Sequence, residues 1–229
     1  MAEIGLNVAR DGHHDPLSVR ALGATWVRIV VMRDHDLRDY FQRCRAAGLS
    51  ILAVIARESF AGFSQGTDTL AYYRTLYGDI VTAWQVGNEA DLASPSSWTM
   101  TQAELTSLGK TVRAAMPSAT LVCAGMASGH PEWLDGMDLS WCDALAVHPY
   151  GKTPDPQWPH PGWGTGLMGP LLDSYAAYGK PLLVTEVGLS THEALEDFQA
   201  EYLKRCAEYL NHREDVLVWC WFCISDDMV

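Results

Sequence analysis

The chain predicts an α/β fold in one domain over residues 1–229, a compact (β/α)8 TIM barrel that lacks its eighth helix. Three observations carry this expectation. Eight short apolar runs alternate with seven helical patterns, which is how a parallel sheet wrapped by helices is written. The runs are evenly spread, with no internal repeat and no break in composition that would mark a second domain. Several of them stop on a polar residue, as barrel strands do where they open into the loops of the C-terminal face. An open doubly wound sheet ordinarily uses fewer strands.

In order, Ile4 to Val8 is the first strand, and its loop holds His13, His14 and Asp15. Pro16 to Leu22 reads as a helix closed by Gly23. Thr25 to Val31 is β-branched and aromatic, a buried strand with Arg28 in its interior, and a buried guanidinium needs an anionic partner. Leu37 to Ala47 follows as a helix ended by Gly48, and Ser50 to Ala56 is apolar enough for a strand covered on both faces. Thr69 to Tyr77 is an aromatic-rich helix, and Ile80 to Gly87 is the fourth strand, tipped by Asn88 and Glu89. Thr101 to Met116 is the clearest helix, with Leu105, Leu108, Val112 and Met116 on one face and Pro117 after it. Leu121 to Met126 is the fifth strand, Pro131 to Leu134 a short helix, and Ala144 to His148 the sixth strand.

From Gly151 to Gly169 the composition turns to Pro, Gly and Trp, and Trp158 and Trp163 there suggest a flap that faces substrate. Leu171 to Tyr178 is a helix, Pro181 to Gly188 carries the seventh strand, Ala194 to Leu210 is an amphipathic helix, and Val216 to Ile224 is the eighth strand. The sequence then stops at Val229, so the apolar strip over strands eight and one would be covered by a dimer partner or a flanking domain.

A net charge of −12 disfavours nucleic acid and anionic membrane as partners, since both reward clustered Lys and Arg. No apolar segment reaches the length of a membrane span, and the N-terminus carries no charged leader followed by an apolar stretch, so localisation stays unknown, with a module of a larger secreted or phage-associated protein as one option. Six cysteines lie in strand-like or helical patterns and read as buried reduced thiols. Cys220 and Cys223, three apart on a strand, point to opposite faces and make no redox pair. No cofactor or metal is expected. His13, His14 and Asp15 have the residue types of a metal site but no further ligand nearby in sequence, and read as a solvated loop.

Alternation tests the candidate site. In strand four Val81, Ala83, Gln85, Gly87 and Glu89 share a face, in strand six Ala144, Ala146, His148 and Tyr150, and in strand seven Leu182, Val184 and Glu186. Each polar tip thus extends a small or apolar inward row. Two carboxyls beside a His, a Tyr and an Asn suit acid/base and nucleophilic work on a glycosidic bond. Arg28, inside the same mouth, would keep one carboxylate ionised.

Asn88-Glu89 on strand four, Glu186 on strand seven, His148-x-Tyr150 on strand six, Arg28 on strand two and Trp221 on strand eight resemble the clan A retaining glycoside hydrolases, over nearly the whole chain. Val-His-Pro-Tyr-Gly and Trp-Gln-Val-Gly-Asn-Glu look most like family 39 and its cellulase-like relatives. The resemblance implies a TIM barrel that cleaves β-linked poly- or oligosaccharide by double displacement. Glu89 would be the general acid/base, Glu186 the nucleophile, Asn88 the partner of the sugar 2-hydroxyl and Trp221 the platform beneath the sugar. His148, Tyr150, Arg28 and Trp163 would contact or orient substrate and carboxylates. Two other readings stand beside this one: a catalytically silent carbohydrate-binding barrel in a larger assembly, and a metal-dependent hydrolase built on His13 and His14.

Overall fold

Strand formation follows the β-branched and aromatic runs. In the computed structural model, which describes residues 1–8, 12–60, 67–92, 99–127, 130–150, 168–188 and 196–222, eight parallel strands close in sequence order into a barrel. They are β1 (Glu3–Asn7), β2 (Trp26–Val30), β3 (Ser50–Ile55), β4 (Ala83–Val86), β5 (Thr120–Cys123), β6 (Ala144–Val147), β7 (Leu182–Val187) and β8 (Val216–Trp221), and β8 pairs with β1 to close the ring. Around them lie α1 (Pro16–Ala21), α2 (Arg38–Ala46), α3 (Thr67–Tyr77), α4 (Gln102–Ala115), α5 (Met168–Ala176) and α6 (Glu196–Leu210). Single 3-10 turns at Arg57–Phe60 and Pro131–Leu134 complete the described elements, and the second stands where β5 and β6 would otherwise be joined by a helix. No helix follows β8 among the described residues, and none of their helices is long and apolar enough to cross a membrane.

Local chemistry explains the helix starts. Asp15 caps α1 by accepting from Ser18 N at 3.0 Å, with Pro16 at the first helical position. Thr101 and Glu104 form a reciprocal capping box at α4, which satisfies two backbone donors that the helix itself leaves unpaired. The described cysteines, Cys44, Cys123, Cys142, Cys206 and Cys220, are free and buried, whereas Cys223 lies outside the described residues.

Two apolar layers result from strand alternation. The outer one packs strands against helices and holds Ile51, Ala53, Ile55, Trp84, Leu145, Val147 and Trp219. Each fully buried aliphatic side chain there contributes roughly 1.5–3 kcal/mol. The inner one fills the lower barrel with Leu52, Ala83, Val122, Ala144, Ala146, Leu183, Val218 and Cys220. Small residues dominate the inner set, so the polar side chains of the next layer up have room to meet on the axis.

Strand seven departs from strict alternation. Leu183 lies in the inner cluster and Leu182 and Val184 in the outer, the reverse of the inward row expected from sequence. The register explains how Glu186 still points inward. Val184 pairs with Trp219 and Val187 with Trp221, so Thr185 and Glu186 together oppose the single residue Cys220. This β-bulge resets the alternation by one residue and turns two consecutive side chains toward the axis. A second irregularity, between Leu182 and Leu183, leaves Leu217 as the extra residue of β8, about half exposed.

Candidate active site

Arg28 organises the barrel mouth. It is 4% exposed, and its guanidinium spends its donors on four side chains from three other strand ends. Nε donates to Gln85 Oε1 at 2.9 Å, one terminal nitrogen to Asn7 Oδ1 at 2.7 Å and Glu186 Oε1 at 2.8 Å, and the other to Asn88 Oδ1 at 2.6 Å. The anionic partner that a buried Arg requires is therefore Glu186. Asn88 Oδ1 also accepts from Gln85 Nε2 at 3.1 Å. The oxygen of Asn88 is thus held by two donors.

Glu186 is the more enclosed carboxyl. Its second oxygen accepts from the Tyr150 hydroxyl, so both oxygens are oriented by strong donors. Burial alone would raise its pKa. Attraction from the His148 ring and the Arg28 guanidinium, with hydrogen bonds from Tyr150 and Arg28, outweighs burial and holds it below its ordinary 4.5. Tyr150 moves the other way: burial, then the adjacent Glu186 charge, push its phenol well up, so it remains a donor at all ordinary pH.

Glu89 sits differently. Its side chain is 25% exposed, no Arg or Lys pairs with it among the described residues, and Oε1 is 3.4 Å from His148 Nδ1. Its backbone is in the left-handed region at φ 49°, the one non-glycine residue so placed among those described, and follows Gly87 at φ 82°. That conformation costs on the order of 1–2 kcal/mol for an L residue. It is held by the Glu89 N–H donating to Gly125 O at 2.9 Å. The kink carries the carboxyl off the strand and over the barrel mouth.

One ligand atom each of Glu89, Glu186 and His148 lie within 4.8 Å of one another. This is the group of metal-ligating character found among the described residues. A divalent ion placed there would share Glu186 with the Arg28 guanidinium, charge against like charge, which makes the arrangement a poor fit for a metal centre. The rings of His13 and His14 lie tilted to each other at 4.2 Å in the loop before α1 and do not join the group.

Of the residues singled out from sequence, Arg28, Asn88, Glu89, His148, Tyr150 and Glu186 converge here. Trp221 does not. Val218 and Cys220 face the interior of β8, so Trp221 points outward and packs against Tyr202 of α6 at 5.8 Å. The aromatic that reaches the site is the next residue: Phe222 is 37% exposed, and its ring stands edge-on to Tyr150 at 5.9 Å. Trp163, with Trp158 and Asp226, lies outside the described residues. Asn7, Thr185 and Phe222 are site residues that the motifs did not mark, and Gln85, in the inward row of strand four, carried no assigned role. Alternation from Gly5 on β1 and from Cys220 on β8 was the signal for Asn7 and Phe222, while the bulge hid Thr185.

The Trp221 correction has a measurable counterpart. Trp221→Ala is expected to lower stability by roughly 3 kcal/mol through the cavity left beside Tyr202, with kcat/KM little changed. Phe222→Ala is expected to leave the melting temperature nearly unchanged and to raise KM about tenfold, the value of a lost aromatic face. Thermal unfolding and steady-state kinetics on the two variants separate these outcomes.

Residues 75–229, more than half of the chain, match the model of a family described as glycosyl hydrolase catalytic core. The closed barrel is the TIM-barrel framework, and the chain belongs to this glycosyl hydrolase catalytic core family. No curated protein matches the chain in sequence. Among solved structures, a family 39 glycoside hydrolase from Bacteroides cellulosilyticus WH2 is 20% identical with a TM-score of 0.71, over 96% of this chain and 56% of its own, so the chain spans little more than half of that protein. A family 128 (subgroup I) endo-β-1,3-glucanase from Amycolatopsis mediterranei, in complex with laminaritriose, is 19% identical with a TM-score of 0.68, over 100% of this chain and 91% of its own. A subgroup II endo-β-1,3-glucanase from Sorangium cellulosum is 18% identical with a TM-score of 0.72, over 100% and 90%. At these identities the likeness is one of fold. The clan A resemblance read in the sequence is borne out at the level of family and barrel.

Proposed function

We propose that the protein is a retaining glycoside hydrolase that cleaves β-linked poly- or oligosaccharide by double displacement, with Glu186 as nucleophile and Glu89 as general acid/base. The observation that carries this reading is the unequal treatment of two carboxyls within 4.8 Å of each other's nearest ligand atoms. Retaining enzymes need the pair about 5–5.5 Å apart, too close for a water between them, and need one ionised while the other is protonated. Glu186, gripped by Arg28 and Tyr150, is suited to attack the anomeric carbon as a carboxylate. Glu89, partly open to solvent beside a histidine, is suited to protonate the leaving oxygen and then to take a proton from water. Asn88 would donate to the sugar 2-hydroxyl, and Phe222 would lie against the sugar in the place first assigned to Trp221. The glucanases of similar fold make β-1,3-glucan the substrate to try first.

Reducing-end release from β-1,3-glucan, mixed β-glucan, xylan, galactan and mannan tests the reading. Release that disappears in Glu89→Gln supports it. Binding without release from any of these glycans would point instead to a carbohydrate-binding module. The acid limb of kcat/KM carries a further expectation. Because Glu186 has a depressed pKa and works ionised, activity should persist as pH falls to its ordinary 4.5 and be lost only below that value. A limb centred near neutral pH would contradict its role.

A further inference from the structure

Thr185 is the first of the two residues that the β7 bulge turns inward, and nothing above uses its hydroxyl. Its Oγ1 lies 2.9 Å from His148 Nε2, and the imidazole is fully shielded from solvent. On the other side of the ring Nδ1 faces Glu89 Oε1 at 3.4 Å. Glu186 Oε1 lies 3.7 Å from Nε2, on the Thr185 side. Tyr150 and Arg28 reach the ring's surroundings through Glu186, and Gly125 backs it so closely that a Cβ there would stand 2.4 Å from Nε2. The ring is thus held in one plane, and in its neutral form the proton can sit on either nitrogen.

With the proton on Nε2, the ring donates to Thr185 Oγ1, and the positive end of that N–H lies near ionised Glu186. Nδ1 then offers a lone pair to Glu89 Oε1, a contact that is favourable only while Glu89 carries a proton. With the proton on Nδ1, a lone pair would face the Glu186 carboxylate, and the N–H would favour Glu89 as an anion, the wrong form for an acid. We infer that Thr185, as the acceptor for Nε2–H beside ionised Glu186, is a positioning residue that together with that charge keeps His148 in the Nε2–H tautomer, so that Nδ1 accepts the proton of Glu89 and keeps the acid loaded before cleavage. This rests on the assignment of Glu89 as the acid.

The step balances without another reactant. The glycosidic C–O bond breaks as the Glu89 proton passes to the leaving oxygen, and the anomeric carbon bonds to Glu186. Glu89, now an anion facing the Nδ1 lone pair, regains a proton from the water that displaces Glu186. Asn7 supports the arrangement by donating from Nδ2 to the Thr185 carbonyl at 3.0 Å, which pins the bulge.

Nitrogen NMR of histidine-labelled protein, with His148→Gln to assign the ring, reads the tautomer directly and without turnover. A protonated Nε2 with a bare Nδ1 at neutral pH is expected, and a protonated Nδ1 would overturn the inference. In kinetics, Thr185→Val is expected to move the alkaline limb of kcat/KM for a β-linked oligosaccharide down by about one pH unit, a loss of about tenfold above the limb. A dinitrophenyl glycoside, whose leaving group needs no proton, should change by less than about twofold in the same variant. Thr185→Ser should restore the limb. Equal losses on both substrates with an unmoved limb would show a structural role only and overturn the inference. If the wild-type protein cleaves neither substrate, the proposed function fails, while the NMR result still decides the tautomer.

Discussion

Arg28→Met is expected to unfold roughly 10 °C below the wild-type protein at neutral pH and to have almost no hydrolytic activity. Removing one partner of a buried ion pair costs about 3–5 kcal/mol because the other charge is left uncompensated. In a chain of this size each kcal/mol moves the melting temperature by about 2–4 °C. The pH dependence distinguishes this cause from a simple packing loss. In the wild-type protein the Glu186 pKa lies below its unfolded value, so its stabilisation is present above pH 4.5 and is lost as pH falls through the folded pKa. Without Arg28 two of the influences that depress the folded pKa are gone, so the depression is smaller. The stabilisation that Glu186 supplies above pH 4.5 shrinks with it, whereas in acid, with the carboxyl protonated, the two proteins differ less. The gap in melting temperature should accordingly be wide at pH 7 and narrow toward pH 4. A gap that does not change with pH would mean that Arg28 acts through packing alone.

Glu186→Ala is expected to lower kcat on the order of 10⁵-fold or more, the scale on which enzymes lose rate when the nucleophile of a covalent mechanism is removed. Stability gives an independent reading. The alanine variant leaves Arg28 buried with only the neutral acceptors Gln85, Asn7 and Asn88, and should melt lower than Glu186→Gln, which keeps an oxygen in place. Activity above a few per cent of wild type in either variant would place the nucleophile elsewhere.

How much of this could be read in the sequence depended on where alternation held. On β2, β4 and β6 the inward row runs without interruption from Trp26, Ala83 and Ala144 to the mouth, and Arg28, Gln85 and His148 stand where a period of two places them. Asn88 and Glu89 were legible as polar tips, although the left-handed turn that lifts Glu89 left no mark beyond Gly87, two residues before it. Glu186 was marked by its position at a strand end, but the row drawn beneath it was out of step by one residue. A bulge is set by the pairing of β7 with β8, two segments about thirty residues apart, and local pattern carries no trace of it. The same blindness concealed Thr185. For Trp221 the pattern was available and a larger aromatic outweighed it: Val218 and Cys220 mark the inward face, which leads to Phe222.

The most direct test of the mechanism is to arrest it. A fluorosugar β-glycoside with a good leaving group, matched to the sugar found in the polysaccharide assay, lets the first displacement proceed and slows the second. Mass spectrometry of the intact protein, then of its peptides, should find one sugar bound covalently to the peptide that contains Thr185-Glu186-Val187, on Glu186. A label on Glu89, or hydrolysis that inverts the anomeric centre with no covalent adduct, would contradict the double displacement assigned to this barrel.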